Sequence, residues 1–158
     1  MLRQLLLPAG LLLVLTTAAP ALAQSQAQAP ASITDSKARS LYDKAQQLYR
    51  RDRQPQQALL VWNQLTDKYP EYGEPFLRKA SLLLTLGDQP KALEAYKTGL
   101  SKLPVEASHA TDYILLGRLA GAVGDYATVR TAYTNYLSTS PTDKKQTALA
   151  KLQLQNCD

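Results

Sequence analysis

The sequence predicts an all-α solenoid assembled from helical hairpins, and three observations carry that expectation. Apolar residues recur at three- and four-residue spacing from about residue 34 onward, with no useful length of strand-like alternation. Clusters of Gly, Pro, Asp and Ser interrupt the pattern at helix-length intervals. The pattern also copies itself. Ala58, Trp62 and Pro70 return as Ala92, Tyr96 and Pro104, each 34 residues later. Ala80, Gly87, Asp88, Tyr96 and Pro104 return as Gly117, Gly124, Asp125, Tyr133 and Pro141, each 37 residues later. A period of this size in a two-helix unit is the mark of stacked repeats.

The N-terminal segment stands apart from the repeats. Residues 1–23 carry one basic residue, Arg3, then a leucine-rich run broken by Pro8 and Gly10, and end in Ala21-Leu22-Ala23. Small residues in that spacing suit cleavage before Gln24, so 1–23 is expected to be a signal peptide. No cysteine follows the cut for a lipid anchor, and the run is short and proline-broken for a membrane span. The product is therefore expected to be exported and soluble, periplasmic or else secreted. Its charge, 17 Lys+Arg without Arg3 against 13 Asp+Glu, is mildly basic and lacks the clustered pattern of a nucleic-acid binder. The single cysteine, Cys157, rules out an internal disulfide and leaves an intermolecular one open.

Residues 24–33, QSQAQAPASI, are small and polar and are expected to form a disordered leader. Thr34, Asp35 and Ser36 offer N-caps for a first helix through about Arg51, with Leu41, Ala45, Leu48 and Tyr49 at helical spacing. A second helix follows on Ala58, Val61, Trp62 and Leu65. Phe76, Ala80, Leu83 and Leu84 mark a third, and Ala92, Ala95, Tyr96 and Leu100 a fourth, with Gly87-Asp88 between them. Gly124-Asp125 divides the next pair, and the inter-repeat segment VEASHA takes the three extra residues of the longer interval. The domain so defined runs over 34–156, with repeats at about 38–72, 73–106 and 110–143 and a capping helix at 142–156. In the cap Ala148, Leu149, Leu152 and Ala150 are expected inward, and Lys144, Lys145, Lys151 and Gln155 outward.

These copies resemble the tetratricopeptide repeat family. The middle repeat matches with Phe76, Ala80, Leu83, Gly87-Asp88, Ala92, Tyr96, Gly99 and Pro104. The third matches with Tyr113, Leu116-Gly117, Gly124-Asp125-Tyr126, Tyr133 and Pro141. The first matches with Leu41, Ala45, Leu48, Ala58, Trp62 and Pro70, but its turn RRDRQP lacks the Gly-Asp pair. The third repeat departs from the pattern, with Val129 and Tyr136 at the small positions of its second helix. The resemblance implies a right-handed α-solenoid whose first helices, A, line a concave face. It places Gly99 where helix B meets the next repeat's helix A.

Carried over residue by residue, the family's groove falls on Tyr42, Gln46, Tyr49, Leu77, Ser81, Leu84, Ile114 and Arg118. It would be a largely apolar surface for a peptide or protein segment. For Leu84 and Ile114, packing between repeats stays open as the alternative. The paired Lys and Asn with which some members hold a peptide carboxylate are missing here.

Enzymatic chemistry has little to stand on. His109, read as a surface-turn residue, is far in sequence from Cys157, no His or Cys pair has metal-ligand spacing, and no Gly-rich phosphate loop follows a strand. Glu71 and Glu74 read as solvated, as does the basic run Arg50, Arg51, Arg53. The expectation is a non-enzymatic scaffold or adaptor that binds a protein or peptide, monomeric, without cofactor, metal or nucleic acid. A self-associating repeat protein and an accessory module of an envelope enzyme are the alternatives.

Overall fold

A computed structural model of the chain describes residues 29–156. The expected signal peptide, residues 24–28 of the leader, and Cys157 lie outside the described residues. Within them the chain forms α1 (Ser36–Arg50), α2 (Pro55–Lys68), α3 (Gly73–Thr85), α4 (Gln89–Leu100), α5 (Ala110–Ala122), α6 (Tyr126–Ser138) and α7 (Lys144–Gln155). The three extra residues appear as a short 3-10 turn, Ala107–His109, before α5. Packing is densest within the hairpins α1–α2, α3–α4 and α5–α6, and successive hairpins join through α2–α3 and α4–α5.

Local chemistry explains the joints. Gly87 and Gly124 close α3 and α5 with φ of +83° and +75°, left-handed values that cost other residues more. The aspartates that follow cap the next helices: Asp88 Oδ1 accepts from Lys91 N at 3.2 Å, and Asp125 Oδ1 from Thr128 N at 3.1 Å. The first hairpin has no such pair. There Arg53 takes the left-handed conformation (φ 52°), Gln54 gives no side-chain cap, and Pro55 opens α2.

Two apolar clusters form the core. One gathers Ile33, Ala38, Tyr42, Ala45, Ala58, Trp62 and Leu65 with Leu82; the other runs from Leu77 through Tyr96, Tyr113 and Tyr133 to Ala150. Leu59, at their boundary, packs on both.

The structure corrects three expectations. The end of the leader is held in place: Ala29 N donates to Asp43 Oδ1 at 2.9 Å, and Ile33 is 0% exposed. Ile33 finds an apolar seat that its polar sequence neighbours do not announce. Gly99 meets its own repeat, not the next. A methyl built there would lie 2.7 Å from Leu77 Cδ2 and 3.0 Å from both Gly73 O and Phe76 Cβ, all on α3. In α7, Ala150 is fully buried and Leu154 packs on the core, while Ala148, Leu149 and Leu152 are exposed. The inward stripe is Gln146, Ala150 and Leu154, where a methyl-sized residue lets α7 settle in the core cluster that holds Tyr133 and Tyr136.

Candidate binding groove

The A helices α1, α3 and α5 carry the residues assigned to the groove, and the structure divides them. Tyr42 is 2% exposed, its ring edge-on to Trp62 at 5.0 Å, and Leu77 is also 2% exposed, pressed against Gly99. Both bodies belong to the core, because they sit at the positions from which α1 and α3 meet their own B helices. Leu84 is half-buried against the core and leaves only an edge outside. The surface assigned to the groove is thus less apolar than the sequence suggests, and polar tips give it its character.

Those tips form networks that join helices. Arg78 Nε donates to Tyr42 Oη at 3.1 Å, tying α3 to α1, and Arg78 Nη2 lies 3.3 Å from Glu74 Oε2 one turn back. Gln46, 7% exposed, places its Nε2 3.4 Å from the same tyrosine oxygen. Ser81 is exposed, and its hydroxyl shares a 2.9 Å hydrogen bond with Tyr96 of α4. Tyr49, 37% exposed, brings its hydroxyl within 3.5 Å of Thr85 Oγ1. Ile114 and Arg118 lie in a different place, on the wall of a cleft of about 470 Å³ that α5 forms with the α6–α7 corner, including Thr139, Asp143 and Gln146.

Electrostatics follows from burial and pairing. Burial disfavours the Arg78 charge, yet Tyr42 and Glu74 outweigh it and hold the guanidinium pKa above its ordinary value. Burial raises the Tyr96 hydroxyl, which the bond to Ser81 offsets only in part.

The structure differs from the sequence-based expectation at four residues. Glu74 is not solvated; its side chain is 14% exposed and paired with Arg78. His109 is buried, at 6% exposure, not a surface-turn residue. Arg78 and Asp112 are not among the family's groove positions, yet Arg78 bonds Tyr42 and Asp112 lies beside His109. The four-residue spacing of Glu74 and Arg78 is an ion-pair signal that the sequence does carry. No group of His, Cys, Asp and Glu among the described residues is placed to hold a metal ion, and no described helix is long and apolar enough to cross a membrane.

The fold is that of an all-helical solenoid of the tetratricopeptide-repeat type. Among solved structures, the TPR2B domain of yeast Sti1, in a complex with pHsp70, is similar at TM-score 0.56 and 14% identity, over 78% of this chain and 97% of that one. The type III secretion chaperone SycD of Yersinia enterocolitica, in complex with a peptide of the translocator YopD, is similar at TM-score 0.58 and 15% identity, over 79% and 95%. The Sgt2 TPR domain of Aspergillus fumigatus is similar at TM-score 0.55 and 16% identity, over 78% of each chain. Comparison with protein-family models and with curated proteins gives no match.

Proposed function

We propose that the protein is a non-enzymatic interaction module that binds a peptide or protein segment along α1 and α3, and that it works in the cell envelope after export. The observation that carries this reading is the bridge from Arg78 to Tyr42. It holds the tips of Tyr42, Gln46 and Arg78 together across α1 and α3, with the Arg78 side chain 43% exposed, and Ser81 beside them on α3 is held separately by Tyr96. Tips held in this way are pre-organised, so a bound segment would order few side chains on the protein's side. Fold analogues solved with partners, Sti1 in a complex with pHsp70 and SycD with a peptide of YopD, agree with this use of the scaffold. Export rests on the leader sequence, Arg3 through Ala23.

Photo-crosslinking in the native host tests the groove. A photoreactive residue at Tyr49 or Ser81 should trap one partner, and the same residue at exposed Leu60 on α2 should not. Trapping at Leu60 alone would overturn the assignment of the surface. N-terminal sequencing of the exported protein checks the cut before Gln24.

A second reading, self-association, draws on Val123, Tyr126, Leu149 and Leu152, which are 42–64% exposed toward the end of the array. Light scattering across a wide concentration range decides it, and a monomer throughout removes it.

A further inference from the structure

The joint between the second and third repeats holds a set of part-buried charges that the groove reading does not use. His109, the sole histidine of the sequence, ends the 3-10 turn that precedes α5. Its Nε2 faces Glu74 Oε1 on α3 at 3.9 Å, and its Nδ1 faces Asp112 Oδ2 on α5 at 3.7 Å. Arg78 on α3 pairs with Glu74 from the other side. Tyr42 of α1 is bonded to Arg78, and Tyr96 of α4 feels both Arg78 and Asp112. Glu106, before the turn, is exposed and accepts from Ser108.

The charge count is unbalanced. Two carboxylates face one guanidinium, so the cluster closes neutral only with one further proton. A neutral imidazole turns a lone pair toward one of the carboxylates, whereas an imidazolium presents N–H to both. We propose that this cluster is a proton-operated latch: one proton taken up by the cluster relieves its surplus negative charge, draws the third repeat onto the second across the contact between His109 and Glu74, and tightens the joint as pH falls. Because Arg78 belongs both to the latch and to the groove, tightening the joint also resets the groove. That last consequence rests on the groove reading; the latch does not. Burial holds the Asp112 carboxyl above its usual range, with Arg78 and His109 offsetting only part. A group whose pKa is raised on folding stabilises below its unfolded pKa, and the gain is lost as pH rises through the folded one.

The test uses the full chain and needs no partner. Thermal midpoints are measured at about pH 8 and about pH 5.5 for the natural protein, His109→Gln and Asp112→Asn. The natural protein should gain about 3–5 °C on His109→Gln between the two conditions. Asp112→Asn removes the surplus negative charge with little change of shape, so its midpoint should rise less on acidification than the natural one. It also keeps the test open if His109→Gln does not fold. A pH response shared by the natural protein and whichever variants fold would overturn the latch. Failed crosslinking at Tyr49 and Ser81 beside a confirmed latch would remove the groove reading alone.

Discussion

Gly99 gives the sharpest test of how the middle hairpin is held. Replacing a helical glycine with alanine ordinarily gains up to about 1 kcal/mol, through reduced backbone entropy in the unfolded chain. Here the added methyl would sit 2.7 Å from Leu77 Cδ2, 3.0 Å from Gly73 O and 3.0 Å from Phe76 Cβ. The last two atoms are backbone or directly attached to it, so no rotamer change clears them, and α3 must move off α4. Overpacking of this kind costs roughly 1–3 kcal/mol, and somewhat more where backbone must shift. Subtracting the propensity gain leaves Gly99→Ala destabilising by about 1–2 kcal/mol, or about 3–8 °C in thermal midpoint. Gly121→Ala is the control. Its methyl would meet nothing nearer than Val129 Cγ2 at 3.7 Å, an ordinary contact, so the propensity gain of about 0.5 kcal/mol should survive. Calorimetry of both variants checks the pair, and Gly99→Ala melting at or above the natural protein would refute the close approach of α3 and α4.

Other consequences can be measured on the same material. Arg53→Gly should stabilise by about 0.5–1 kcal/mol in urea titration, because a left-handed residue other than glycine (φ 52°) is released from strain. Tyr113→Phe should be neutral or stabilising by up to about 1 kcal/mol, since the Tyr113 hydroxyl is buried without a hydrogen-bond partner in the structure; a clear loss would reveal a partner. The capping aspartates set the acid limit. Asp35 is lowered chiefly by the backbone amide of Ala38, Asp88 by Lys91 and Asp125 by Thr128. Their stabilisation is present above the ordinary carboxylate pKa and lost as pH falls through the lowered values, so the urea midpoint should drop below about pH 4. This limb lies on the acid side of the latch, so stability should pass through a maximum between the two.

Much of the fold is legible because it is local. Ala58, Trp62 and Leu65 stand on one face of one helix, and Gly124-Asp125 is both a stop and a start within two residues. What escapes is decided across the fold. Ile33 is one apolar residue in a polar stretch, and only α1 and the hairpin beside it reveal that it is buried. His109 is buried by Glu74, 35 residues earlier, and its neighbours alone suggest an exposed turn. In α7 the sequence supports either of two apolar stripes, and the surface that receives the helix chooses the one with the smaller central residue. The groove shows the same limit. Family positions name the helices of the proposed groove, yet whether Tyr42 and Leu77 face out or in depends on the B helices behind them.

The anchoring of Ile33 and the openness of α7 give this array a direction. At its first end, Ala29 to Ile33 lies bonded over the opening hairpin, so a further unit could not stack there without displacing it. At the other end Leu149 and Leu152 present a row that another helix could cover. An engineered repeat fused after Asn156 would therefore lengthen the solenoid, while the same unit fused ahead of Ala29 would stay a separate bead on the chain.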